Sequence, residues 1–194
     1  MSKSREQIVN YLSKIDIGGK TVLDVGCGPE KYWAKNFVNG KPKEYVTLDI
    51  DGQFGTDVVA DLNVPLAFAD MPGKYVKRYD VVFCLETLEH IYNPIQAVKN
   101  LYDVTREICY ISVPFINPLH DKWDYLRYTP EWFEKVLPVV GFKKVIVRKR
   151  LATIGVLELM RFYREEGLRM SKIRLKSGQS KDQALIGLFV EAWK

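Results

Sequence analysis

Three aspartates in this chain sit at the carboxyl ends of short apolar runs. Asp24 lies in Thr21-Val-Leu-Asp-Val25, Asp49 ends Tyr45-Val-Thr-Leu-Asp49, and Asp61 ends Val58-Val-Ala-Asp61. A carboxylate so placed can accept both hydroxyls of a ribose, and it repels a 2′-phosphate. Asp49 follows Asp24 by 25 residues, close to the spacing at which a dinucleotide fold places such an acid. Directly after the first run comes Gly26-Cys27-Gly28-Pro29, where two glycines remove side chains at a point of close backbone approach. On its own the turn indicates a nucleotide-type site of unspecified kind. A second chemistry belongs to the chain's two histidines, His90 and His120, which lie just beyond the fourth and fifth apolar runs. A histidine within reach of a substrate hydroxyl can take its proton, an effect worth about 10²–10⁴-fold. Glu86, Glu89 and His90 also form a Glu-x-x-Glu-His pattern, whose members at helical spacing could share a face and bind a divalent ion, with His120 as a further ligand.

The elements that must position these residues follow from local pattern. Ser4 to Ile15 carries Ile8, Leu12 and Ile15 at helical spacing and reads as an amphipathic helix stopped by Gly18-Gly19. Strands are expected at Thr21–Val25, Tyr45–Asp49, Val58–Asp61, Tyr79–Leu85, Ile108–Val113, Phe142–Arg150 and Ala184–Ala192. Helices are expected over Glu30–Val38, from Asn93-Pro94, and from Thr129-Pro130-Glu131 to Gly141. The last two begin on an N-cap followed by proline at the first helical position. Alternating strands and helices mean a largely parallel sheet covered on both faces, with an antiparallel pair plausible for the last two strands. No internal repeat or linker breaks the pattern, so residues 1–194 read as a single α/β domain with a basic helical insertion at about 151–181.

Composition narrows the classes. The 194 residues are 47% hydrophobic and 27% charged, ordinary globular values. No apolar run is long enough to span a bilayer, and the polar start Met1-Ser-Lys-Ser-Arg-Glu lacks the apolar core of a signal peptide. Three unclustered cysteines, Cys27, Cys84 and Cys109, argue for reduced thiols and a cytoplasmic location. The net charge of +5 is uneven: Lys143 to Lys181 holds 12 Lys/Arg against 3 Glu, a surplus of +9, which leaves about −4 for the rest. Such a segment suits an anionic partner, either nucleic acid or a peripheral membrane surface, or is a solvated face. The apolar residues that precede its charges, Ile154 to Tyr163, could build a homodimer face.

With these motifs in order, the sequence resembles the class I S-adenosylmethionine-dependent methyltransferases over nearly its whole length. Val22-Leu-Asp-Val-Gly-Cys-Gly28 is similar to that family's first motif, Tyr45–Asp49 to its second and Val59-Ala-Asp-Leu62 to its third. Tyr79-Asp-Val-Val-Phe-Cys-Leu-Glu-Thr-Leu-Glu-His90 resembles the fourth strand and following segment of its small-molecule, type 11-like and quinol branches. The resemblance implies a Rossmann-like seven-stranded sheet, helices on both faces, and an antiparallel final strand. It also implies S-adenosyl-L-methionine as the cofactor and S-adenosyl-L-homocysteine as the product. By position, Gly26 and Gly28 let the backbone approach the amino-acid part of the cofactor, and Asp24 holds its ammonium. Asp49 takes the ribose, Asp61 and Leu62 face the adenine, and Cys27, Ile50 and Leu85 belong to the same site. The family's third glycine is replaced here by Glu30, which disfavours a dinucleotide dehydrogenase more than a methyl donor.

The acceptor is bounded less tightly. Cys84-Leu-Glu-Thr87 lacks the Asp/Asn-Pro-Pro-aromatic run of base N-methylases, so an oxygen acceptor is favoured. In this fold His90 and His120 are candidates for the base. The RNA 2′-O-methylases that use metal at the Glu-x-x-Glu-His motif resemble one another in further histidines, whereas Ile91 follows here, so the expectation is a site without metal. Tyr125 to Tyr128, leading into Thr129-Pro130, resembles a loop of surface-polysaccharide methyltransferases. Trp123, Tyr125 and Tyr128 would stack on a ring and Arg127 would pair an anionic group, or Arg127 would pair Asp124 and the aromatics would plug the sheet edge. The expected activity is O-methylation of a small glycan, phenolic or anionic metabolite. The alternatives are an RNA ribose or cap methyltransferase and a non-catalytic S-adenosylmethionine-binding protein.

Overall fold

A computed structural model describes residues 3–30, 33–66, 78–116, 122–153 and 183–194. Seven strands form one sheet: β1 Thr21–Val25, β2 Glu44–Asp49, β3 Val58–Val59, β4 Tyr79–Leu85, β5 Thr105–Pro114, β6 Lys144–Thr153 and β7 Gln183–Trp193. Their spatial order is β3-β2-β1-β4-β5-β7-β6. β1 to β5 pair in parallel, and β7 runs antiparallel to both β5 and β6. The chain leaves β1 toward β2 on one side and returns to β4 on the other. The carboxyl end of β1 is therefore the point where strand order reverses, which is where open α/β sheets bind ligands.

Both sheet faces are buried, and the period of two assigns the residues. Leu23, Val25, Val82, Cys84, Cys109 and Ile111 face one side, packed on Ala97, Val98 and Leu101 of α2 (Pro94–Val104) and Phe133 and Leu137 of α3 (Pro130–Val140). Val22, Val81, Phe83 and Phe189 face the other, under Ile8 and Leu12 of α1 (Lys3–Leu12). Asp24 has the parity of Val22, so it lies on the α1 side. Both later helices start as their caps predict: the Asn93 side chain accepts from Gln96 N, and the Thr129 side chain from Trp132 N.

One expected element is different. Over Glu30–Val38 the described residues form only a 3₁₀ turn, Ala34–Asn36. The backbone of Asn39 is drawn into a bridge with Asp16, in the segment between α1 and β1, with Ile17 N donating to Asn39 O at 2.8 Å and Asn39 N to Ile15 O at 2.8 Å. A helix cannot continue into a segment whose donors and acceptors are taken this way. The basic helix expected at 151–181 lies outside the described residues from 154 onward, and with it the membrane and dimer surfaces. Among the described residues no helix is long and apolar enough to cross a membrane. None of Cys27, Cys84 and Cys109 is in a disulfide.

Candidate functional site

The glycine turn after β1 is closed against β2. Gly26 N donates to Leu48 O at 2.8 Å, and Gly28 N donates to Asp49 Oδ2 at 2.9 Å. The second Asp49 oxygen accepts from Asp51 N at 3.1 Å. The two glycines serve different ends. Gly26 has φ +70°, and a Cβ there would stand 2.3 Å from the Thr87 side chain, so the close approach it permits is to the segment after β4. Gly28 has φ +60° and faces open space within 4 Å, leaving room for a ligand. A cavity of about 230 Å³ opens here, lined by Asp24, Gly26, Cys27, Gly28, Leu85 and Glu86 below and by Arg5, Ile8, Trp33 and neighbouring residues above. Arg5 lies over the Trp33 ring at 5.3 Å and pairs with Glu30 at 3.3 Å, closing the outer rim. Both side chains of this pair are more than half exposed.

Asp24 is the buried charge of this cavity, with 5% of its surface exposed. Burial pushes its carboxyl up to about 7, a hydrogen bond from the Tyr45 hydroxyl (2.7 Å) pulls down, and the nearby Asp49 adds to the rise. A buried carboxylate with one neutral donor on it is a receptor for a cation. Tyr45 was not legible as a site residue. Its signal lies in register, since Tyr45 pairs with Val22 on β1, two residues before Asp24.

The other expected cofactor residues divide. Cys27 and Leu85 line the cavity. Ile50 is 63% exposed beside Asp49. Asp61 Oδ1 accepts from both Asn63 N and Asn63 Nδ2 at 2.8 Å, and Asn63 in turn accepts from Asn93 N, so Asp61 braces the start of α2. Leu62 sits deeper. Its side chain is 4% exposed within the core, and its carbonyl is held by Asn100 Nδ2 at 3.1 Å.

Beyond β4, Glu86 adopts φ +49°, rare for a side-chain-bearing residue. Its N donates to Ser112 O at 2.9 Å, and its Oε1 accepts from Arg150 Nη2 at 2.8 Å. Arg150 is 1% exposed, and the same Nη2 reaches Val113 O at 2.6 Å. The space for its guanidinium is made by Gly187 on β7, where a Cβ would stand 2.2 Å from Nη2. Sequence reasoning missed this unit; a lone glycine inside a strand, marking close approach, was its signal. Arg150→Met leaves Glu86 and the Val113 carbonyl without their cation. It is expected to lower unfolding stability by about 3 kcal/mol, read by urea denaturation, and Gly187→Ala is expected to act in the same direction. A midpoint unchanged in both variants would show that the pair contributes nothing.

The Glu86-x-x-Glu89-His90 pattern therefore does not fit a metal, since the Glu86 carboxylate is committed to Arg150 and Glu89 is buried. Among the described residues no three His, Cys, Asp or Glu side chains are grouped to hold one. His90 ends the 3₁₀ turn Leu88–His90, with 25% of its side chain exposed and Nε2 3.9 Å from Glu89 Oε1. His120 lies outside the described residues.

The segment after residue 121 alternates. Asp124 and Tyr128 point inward, at 9% and 3% exposure, while Trp123 and Tyr125 point outward at 53% and 44%. Tyr125 N and Leu126 N donate to Glu89 O, and the Tyr128 hydroxyl donates to Leu88 O, tying the segment to the histidine turn. Tyr128 is thus a core residue and not a stacking surface, because its ring is packed against Trp132 and Phe133. Arg127 is paired with buried Asp124, Nη2 to Oδ2 at 2.8 Å, rather than held out for an anion. Tyr92, 64% exposed and edge-on to Tyr125, joins Trp123 and Tyr125 in an aromatic strip that sequence reading found only in part.

Comparison with known proteins places this geometry. The profile of the Methyltransferase domain family matches residues 2–138. A ubiquinone biosynthesis O-methyltransferase of Coxiella burnetii (strain Dugway 5J108-111) is 29% identical over 92 residues, 45% of this chain and 39% of that protein. A tRNA U34 carboxymethyltransferase of Helicobacter pylori (strain Shi470) is 34% identical over 95 residues, 43% of this chain and 35% of that protein. The chain thus matches about two-fifths of the length of these curated relatives. A solved SAM-dependent methyltransferase from Archaeoglobus fulgidus superposes with TM-score 0.56 at 16% identity, covering 99% of this chain and 92% of that one. With a family profile matched over most of its length, this chain belongs to the Methyltransferase domain family.

Proposed function

We propose that residues 1–194 form one catalytic domain, which moves a methyl group from S-adenosylmethionine to an oxygen of a small molecule. The observation that carries the cofactor reading is the 2.9 Å bond from Gly28 N to Asp49. It supports one binding site built from the acid of β2 and the glycine turn of β1, with buried Asp24 beside both. In this reading Asp49 takes the ribose hydroxyls, Ile50 flanks the adenine, and Asp24 takes the ammonium. Cys27, Gly28 and Leu85 form the wall. Bound S-adenosylmethionine supplies an electrophilic methyl on a sulfonium. The chain supplies alignment, which is worth roughly 7–11 kcal/mol, and a group to accept the acceptor's proton. His90 is that group among the described residues, with His120 the alternative. Trp123, Tyr125 and Tyr92 present the surface for the rest of the acceptor. The test is transfer of labelled methyl from S-adenosylmethionine to a panel of hydroxylated glycans, phenols and hydroxy acids. Label on none of them, with the cofactor bound, would remove the oxygen-acceptor reading.

The cofactor reading carries a pH dependence. In the free protein Asp24 keeps its proton up to about pH 7, whereas an ammonium ligand favours the ionised form. Binding below that point must expel a proton. Affinity is therefore expected to rise about tenfold from about pH 6 to 8, with proton release seen calorimetrically in buffers of different ionisation enthalpy. Asp24→Asn should flatten the profile, and a pH-independent wild-type affinity would show that Asp24 does not meet the ammonium. The linkage to folding has the opposite sign. Because the folded carboxyl holds its proton more tightly than the unfolded one, Asp24's contribution is present at acid pH and is lost as pH rises from about 4 to 7.

A second reading, methylation of RNA, draws on the Helicobacter tRNA relative and the exposed aromatic strip. RNA binding that weakens steeply with salt would support it, and a flat response would remove it.

A further inference from the structure

Around the turn Leu88–His90 the described residues bring together three carboxylates and two guanidiniums. Arg150 takes Glu86 and Arg127 takes Asp124, each with a contact of 2.8 Å. Glu89 is the third acid. It is 1% exposed, and among the described residues its Oε2 has no hydrogen-bond partner. An ionised carboxylate enclosed this way, beside two other acids that each hold an arginine, would lose its hydration and share only the Arg127 charge already paired with Asp124. We propose that Glu89 works as a neutral carboxylic acid: it carries the one proton by which three acids exceed two arginines, and so sets no negative charge against the His90 imidazole. An ionised Glu89, 3.9 Å from Nε2, would instead favour the imidazolium, which has no lone pair to offer.

The groups facing Glu89 agree. Glu86 and His90 flank it on its own segment, Cys84 lies on β4, and Asp124, Arg127 and Tyr128 lie on the segment packed against it. Burial first, then the Glu86 charge, push the Glu89 carboxyl well above the usual range, and Asp124 adds to this, while a hydrogen bond from its own backbone N–H and then the Arg127 charge oppose it without reversing it. The role is a positioning one, exerted through His90, and it rests on the reading of His90 as the proton acceptor.

Infrared difference spectra, with thermal stability and turnover of Glu89→Ala and Glu89→Gln, test the proposal. At neutral pH the wild type should show a protonated carboxylic acid band that the Gln variant lacks. Glu89→Ala should lose several degrees of Tm and about tenfold or more in kcat. Glu89→Gln, neutral and of the same shape, should restore most of both. Absence of the band, or a Gln variant that regains Tm but stays as slow as the Ala variant, would overturn the proposal, because the site would then need an ionised carboxylate. A band that persists while His90→Ala turns over normally would overturn the link to His90, and S-adenosylmethionine binding measured on the same proteins reports separately on the cofactor reading.

Discussion

His90→Ala is expected to lower kcat by about 10²–10⁴-fold while the dissociation constant for S-adenosylmethionine changes little. The split follows from where the residue stands. His90 ends a 3₁₀ turn just past the carboxyl edge of β4, one quarter exposed, and it is not among the residues that line the cavity at the glycine turn. The turn itself is held from three sides. Glu89 O accepts from Tyr125 N and Leu126 N, Leu88 O accepts from the Tyr128 hydroxyl, and Thr87 O accepts from His90 N. The imidazole can therefore be removed without releasing the backbone that carries it. A group that only shaped the pocket would cost KM and kcat together. Parallel losses in both, or no loss at all, would move the proton-accepting role to His120, whose alanine variant should then show the split.

Asp49→Ala is expected to weaken S-adenosylmethionine binding by roughly 10²–10³-fold. On the proposed reading two charge-assisted hydrogen bonds to ribose hydroxyls are lost, and so is the carboxylate that holds Gly28 N and Asp51 N in place. Asp49→Asn separates these contributions. It keeps one acceptor oxygen for the turn but gives up the charge, and should fall between wild type and alanine. Calorimetric titration reads all three proteins. An alanine variant within about threefold of wild type would mean that the ribose lies elsewhere, since one charged hydrogen bond alone is worth more.

Where a feature is written in adjacent residues, the sequence made it legible. β4 was read at Tyr79–Leu85 and is found there, and Asn93-Pro94 and Thr129-Pro130 start their helices because cap and proline act within one turn. The antiparallel last strand was also expected, from the family resemblance and from the single segment between the last two strands, and β7 does run antiparallel to β5 and β6. What was not legible depends on partners far along the chain. Arg150 meets Glu86 across 64 residues through a hollow at Gly187, and no local signal states that pairing. Glu30–Val38 has helical spacing, yet its end is claimed by the bridge between Asp16 and Asn39. Leu62 and Tyr128 were placed toward ligands by position, but an apolar ring or chain beside a site is as readily taken up by the core, and here the core holds both.

Glu30 illustrates both outcomes. Its type, where a phosphate-approach glycine would stand, argued against a dinucleotide. The structure adds that its carboxylate pairs with Arg5 of α1 at the outer rim of the cavity.

The central claim is that the cavity at the end of β1 binds the methyl donor, and calorimetric titration of the wild-type protein with S-adenosylmethionine above neutral pH tests it most directly. The account predicts saturable binding at a single site, with protons released when the titration is repeated below neutral pH. No heat of binding up to millimolar ligand, in a protein shown by its unfolding transition to be folded, would contradict it.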